Sequence, residues 1–232
     1  MGLFRSRTPQ PHEHLLGRYE ALKRLLRELH DELVPAIPPK TLLACARRLG
    51  MADGNDVVFG SDAEESMLFD YCLYHERIKG STIARRYARD RLSREPEGDT
   101  AIILEAMTGA AYRVMTIESI ESGVGVGVRD ILRDVRFFVM DKLVGKTVRP
   151  DFILAGTILD LPEFSITTGA VLPFPEKVAG LLPGLRQKTG FSEGFRQSAA
   201  AINPNDEALL AATLIVTSKE AGLTGRVRYE NP

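Results

Sequence analysis

The sequence predicts an α+β fold: an N-terminal helical region, a small five-stranded antiparallel barrel-like module, and a C-terminal helix that packs back. Three observations carry the prediction. Apolar residues recur at helical spacing through much of residues 1–110. After Gly109 the pattern changes to short alternating runs, rich in β-branched residues and separated by Gly, Pro or Asp. Near the C-terminus, "NPNDEALLAATLIVTSKEAG" opens with helix-start residues and is apolar nearly all round. These changes divide the chain into a helical region (1–110), a β module (111–175) and a C-terminal helical segment (176–232).

The first ten residues are polar and are expected to fray. From about His12 to Val34, Leu15, Tyr19, Leu22, Leu26, Leu29 and Leu33 follow a 4-3-4-3-4 spacing, which puts them on one helical stripe. "PAIPP" ends that helix, because proline cannot continue it. "KTLLACARRLGM" reads as a short helix closed near Gly50, and "ADGND" as a loop. Ser61 and Glu64 fit a capping box at the start of a helix that runs to Gly80. Ser81 or Thr82 opens a fourth helix, "TIARRYARDRL", and "EGDTAIILEAMTGA" is a fifth.

The expected strands are "AYRVMTIESI", "VGVRDI", "VRFFVMDKL", "DFILAGTILDL" and "EFSITTGAVLPF". Five short strands in this span suit a small barrel, whose closure removes exposed edges. Between Pro175 and Gln197 short helical pieces are expected, broken at Pro183-Gly184 and Gly190. In the last helix Asn203 is the N-cap, Pro204 takes the first position, and Gly222 closes the end. That helix is expected to pack on the N-terminal helices or to form a subunit contact.

Composition narrows the function classes. The 232 residues are 44% hydrophobic and 26% charged, with a formal net charge of −1. No global field draws such a chain to nucleic acid or to anionic lipid, so any such binding needs a local patch. Cys45 and Cys72 are too few for a disulfide scaffold and fit a reducing cytoplasm. The first twenty residues lack an apolar core of leader type. The longest apolar run, Ala208 to Val216, falls far short of the ~20 residues that span a bilayer. The expectation is therefore a cytoplasmic protein with no membrane contact.

The stretch "ESGVGVGVRD" carries Gly123, Gly125 and Gly127 at alternate positions. A dinucleotide loop needs G-x-G-x-x-G before a helix, and a Walker loop needs G-x-x-x-x-G-K-[ST]; neither spacing is present. The expected role is a bend in the β module. Cys72 and His75 form C-x-x-H one helical turn apart, but no second ligand pair accompanies them. The bland alternative makes Cys72 a small buried residue and His75 a surface cap, and no metal is expected. Asp130, Asp134 and Asp141 lie near turns, where Asp commonly bonds its own backbone. No nucleophile elbow or zinc-protease pattern occurs, so no catalytic residue and no cofactor are assigned.

The most pointed charge cluster is "RIKGSTIARRYARDRLSR". Arg77, Lys79, Arg85, Arg86, Arg89, Arg91 and Arg94 face only Asp90, a local +6 in a chain of net −1. With the preceding helix and the "GST" turn, it has the outline of a helix-turn-helix whose arginines contact phosphates. The alternative is a solvated face paired to nearby acidic segments.

From Glu64 to Phe174 the order of elements resembles a loose set of uncharacterised bacterial proteins with a helical region followed by a small β-barrel-like module. The resemblance rests on Gly80 and Thr82 at a helix start, Gly125 to Asp130 at a turn, Val139 to Asp141 at a strand end, and Thr168 to Pro173 as a closing motif. Some members carry a zinc-binding SEC-C-type tail. This chain lacks that tail, so zinc does not carry over. The resemblance implies the architecture and a cytoplasmic location.

These readings give an expected function: a non-enzymatic macromolecular interaction protein. It would use its β module, or the Leu15–Leu33 stripe, to bind a protein partner or a second copy of itself. The alternative is a DNA- or RNA-binding protein using the arginine cluster, and a second alternative is an enzyme of unrecognised type.

Overall fold

The computed structural model describes residues 11–150, 152–175 and 203–224. The expected frayed start and the pieces between Pro175 and Gln197 lie outside these residues, apart from Pro175 itself.

A short 3-10 turn leads into α1 (Leu16–Leu33). Its stripe residues Tyr19, Leu22, Leu26, Leu29 and Leu33 are all buried. Each fully buried leucine contributes roughly 1.5–3 kcal/mol by leaving water. Pro35 and Pro38 end the helix, and Pro39 occupies the first turn of α2 (Pro39–Arg48). The segment expected as a loop folds as a minimal hairpin, β1 (Ala52–Asp53) with β2 (Asp56–Val57), turned at Gly54 with φ +59°. Asn55-side chemistry explains it: a glycine and an asparagine between two short extended pieces favour a tight reversal.

Helix α3 (Asp62–Tyr74) begins as expected, with the Ser61 side chain accepting from the Glu64 amide. Glu64 reaches back to the amide of Gly60, one residue earlier than a standard capping box. The helix ends at Tyr74, short of the expected stop at Gly80. His75 leaves the helical register, and Ile78 and Ser81 then close a small bridge around Gly80. Thr82 caps α4 (Ile83–Leu92), and α5 (Gly98–Thr108) follows.

The barrel is formed by β3 (Ala111–Glu121), β4 (Gly125–Asp130), β5 (Arg136–Met140), β6 (Phe152–Asp160) and β7 (Ser165–Pro175). It closes in the order β3-β4-β5-β7-β6. Four seams are antiparallel and the β5–β7 seam is parallel, Val139 to Ser165 and Met140 to Ile166. An odd number of strands cannot alternate direction all the way round a ring, so a closed five-stranded barrel must contain a parallel seam. The crossover that permits it is α6 (Lys142–Thr147), which replaces the expected strand end "MDKL". Asp141 drives the switch: its carboxylate caps the amides of Leu143 and Val144. A ring ordered first-second-third-fifth-fourth, with a helix between the third and fourth strands, is the topology of OB-type Greek-key barrels.

Two apolar cores result. One fills the barrel with Met115, Ile117, Val126, Val128, Val139, Leu154, Ile158 and Val171. The larger lies between the barrel's outer wall and the helices, joining Tyr112, Val114, Ile153 and Leu159 to Leu22, Leu68 and Leu104. Strand β6 faces both, which accounts for its unbroken apolar run "FILAGTILDL". Helix α7 (Pro204–Glu220) starts at the Asn203 cap and buries Leu210, Ala211, Leu214 and Ile215 against α3, β3 and β7. It packs back, as its composition predicts.

Candidate functional site

The seven cations of the Arg77–Arg94 segment are treated differently by the fold. Arg91 pairs with Glu32 of α1 at 3.3 Å, and Arg94 pairs with Asp90 at 2.6 Å. Arg77 gives one nitrogen to the Gly80 carbonyl at 3.0 Å, and Arg86 one to the Ile78 carbonyl at 2.5 Å. A carbonyl positions a guanidinium without cancelling its charge. Lys79 and Arg89 are exposed, and Arg85 is half-buried. Among the described residues none of Arg77, Lys79, Arg85, Arg86 and Arg89 is within ion-pair distance of a carboxylate. Ile83, Ala84 and Ala88 are buried on one side of α4, and Arg86 and Arg89 are exposed on its outward face.

The α1 stripe lies elsewhere. Tyr19, Leu22, Leu26, Leu29 and Leu33 are spent on the internal core, and Leu15 packs against its edge. The stripe presents no free apolar face of its own.

Cys72 and His75 diverge. Cys72 faces Cys45 across α2 and α3, and both thiols are free and wholly buried. Hydrogen bonding to Cys45, followed by burial, pushes the Cys72 thiol far up. The native protein is therefore expected to react with an aromatic disulfide reagent at least ~100-fold more slowly than the unfolded chain. Rapid labelling of two thiols without denaturant would contradict this packing. His75, read as a surface cap, is instead only 4% exposed. It sits where the helix breaks, and the break turns its ring inward under the barrel wall.

His75 belongs to a polar relay between helices and barrel. Its Nε2 lies 2.8 Å from Thr157 Oγ1, and that hydroxyl lies 2.5 Å from Asp70 Oδ2. Thr168 donates to the other Asp70 oxygen. Asp70 accepts from both threonines, so the single Thr157 proton points to it, and His75 Nε2–H must donate to Thr157. His75 Nδ1 is then bare, 3.9 Å from Glu207 Oε1. Burial lowers the His75 pKa to about 3. Burial raises that of Asp70 to about 6, partly offset by the two threonines and Lys23. Lys23 Nζ donates to the Thr167 carbonyl at 2.9 Å, and burial pulls its pKa down. His30 is 2.7 Å from Tyr74 Oη, and burial, then Lys23, lowers it to about 4.

The turn carboxylates serve the backbone. Asp130, fully buried, accepts from the amides of Leu132 and Arg133 and from the Arg133 guanidinium at 3.0 Å. Asp141 caps α6 and accepts from Thr167. Asp134, with φ +52°, lies beside Arg129 at 3.5 Å. Sequence reading missed Lys23, Asp70, Thr157, Thr168 and Glu207, because their partners are far apart in the chain. One local signal existed: Asp70 is the lone acid inside "MLFDYCLY".

Among the described residues, no group of three or more His, Cys, Asp or Glu is placed to hold a metal ion, and no helix is long and apolar enough to cross a membrane. A family of unknown function (DUF7986) matches residues 13–188, and the chain belongs to that family. No curated protein and no solved structure matches the chain.

Proposed function

We propose that this is a non-enzymatic macromolecular interaction protein that binds nucleic acid through the outward face of α4 and the loop before it. The observation that carries the reading is the set of cations, Arg77, Lys79, Arg86 and Arg89, that meet no carboxylate among the described residues of a chain with net charge −1. Phosphates supply the missing counter-charge, and release of their condensed cations supplies affinity. The stripe of α1 and the apolar side of α7 are both used internally, so neither offers a free apolar surface to a partner. The barrel topology lends support by analogy of fold alone, since OB-type barrels host many nucleic-acid binders. A bacterial cytoplasmic setting fits the same reading, with Cys45 and Cys72 both carried as free thiols.

Fluorescence anisotropy tests it, with labelled single-stranded and duplex oligomers of about 20 nucleotides at ~50 mM salt. Binding is expected to weaken steeply with salt. The double variant Arg86→Glu with Arg89→Glu should lose at least ~10-fold in affinity and lower the salt slope by about 2. No binding by the unmodified protein at ~50 mM salt ends the proposal.

A further inference from the structure

Beside the start of α4 a cleft of about 100 Å³ opens between α3, α4, α5 and α7. Its walls carry His75, Arg77, Thr82, Arg85, Thr108 and Glu207. Arg85 enters from α4 with its Nε buried and without a hydrogen-bond partner. Buried N–H groups are nearly always satisfied, so an orphan at the wall of a cleft marks a place for an acceptor. Arg77 enters from the loop after α3, anchored by the Gly80 carbonyl.

The facing carboxylate is already compensated. Glu207 Oε1 accepts from the Tyr112 amide at 2.9 Å, and Oε2 accepts from Arg133 at 2.9 Å. His75 adds no charge, since burial keeps its ring neutral and its Nε2 is committed to Thr157. Two guanidiniums therefore set the field of the cleft, and each Glu207 oxygen retains a lone pair.

We propose that this cleft is a binding site for a hydrogen-phosphate oxyanion, gripped by Arg77 and Arg85, with its P–OH donating to Glu207. The volume admits a tetrahedral oxyanion. The carboxylate supplies selectivity: a protonated phosphate brings a donor to Glu207, whereas sulfate brings only acceptors and leaves two anions in contact. Phosphate can come free or as a monoester at a strand end. A monoester loses its last proton near pH 6, so at pH 7 inorganic phosphate is the better match. The site shares Arg77 with the nucleic-acid reading, but Arg85 and Glu207 belong to the cleft alone and Arg86 and Arg89 to the outer face alone, so either reading can fail without the other.

Thermal unfolding of the full chain at pH 7 and constant ionic strength tests it, with inorganic phosphate and sulfate as probes. Phosphate should raise the midpoint with the logarithm of its concentration above the dissociation constant, by on the order of 4 °C at ten times that constant. Sulfate should act at least ~10-fold more weakly, because it lacks the donor. Arg85→Gln and Arg77→Gln should each weaken the phosphate response by ~10-fold or more, as lost charge-assisted bonds do. Arg77 is nearer the surface and keeps the test alive if the Arg85 variant folds poorly. Equal shifts from phosphate and sulfate, which general ion exclusion would produce, overturn the proposal. So do undiminished shifts in both variants, or a response to a 5′-phosphorylated oligomer with none to inorganic phosphate.

Discussion

Replacing Gly125 with alanine is expected to destabilise the protein by at least ~4 kcal/mol, and with valine to abolish folding. The reason is steric. A Cβ at Gly125 would stand 2.2 Å from the Val139 carbonyl oxygen and 3.0 Å from Met140 Cα, both backbone atoms of β5. Gly125 pairs with Met140, so neither atom can withdraw without opening the β4–β5 seam. The same residue receives α6, since a Cβ on Gly145 would meet the Gly125 amide nitrogen at 2.8 Å. Gly127 should be far more tolerant, because its added Cβ would meet the Ser119 hydroxyl, a side chain that can rotate. Gly17→Ala provides a control of opposite sign. Nothing lies within 4 Å of that position in α1, and alanine should stabilise the helix by ~0.5–1 kcal/mol. Urea unfolding of the three alanine variants checks the order. A Gly125→Ala protein within ~1 kcal/mol of the parent would mean that β4, β5 and α6 do not approach as described.

The alternate glycines thus have three separate reasons. Gly123, φ +75°, makes the β3–β4 turn; Gly125 admits β5 and α6; Gly127 faces the bulge at Ser119. The sequence shows the bend, because spacing excludes a phosphate loop, but not α6, whose six residues include a β-branched pair and a glycine. Helical stripes, caps and strand runs were readable because each is a local pattern. Asn203, Ser61 and Thr82 all cap where expected. The polar relay was not readable. Asp70, His75, Thr157 and Thr168 lie on α3, the loop after it, β6 and β7, and only barrel closure brings them together. The arginine cluster sits between these cases. Its charge is visible in the string, but which members keep that charge unpaired depends on where Glu32 and Asp90 fall.

The relay has a consequence for acid stability, and it is expected to be the second large effect. His75 and His30 have folded pKa values of about 3 and about 4, below the ordinary 6.5. Between those limits the unfolded chain binds protons that the folded chain refuses, so stability falls as pH drops from 6.5 toward 4. Asp70 works the other way. Its folded value of about 6 lies above the ordinary 3.8, so the folded state holds the extra proton and gains as pH drops through that window. Two histidines against one aspartate leave a net loss on acidification. His75→Gln isolates the larger contributor, since glutamine offers Thr157 a donor but does not titrate. Between pH 4 and 6 the stability of this variant should fall less steeply than that of the parent, by about 1.4 kcal/mol per pH unit. At pH 7 it should lie slightly below the parent, because the amide fills the His75 cavity less well. Urea unfolding at half-unit steps from pH 4 to 7 reads the difference directly, since the surface carboxylates are common to both proteins and cancel. Parallel slopes would show that His75 takes up its proton in the folded state. The ring would then be open to water rather than held beneath the barrel wall.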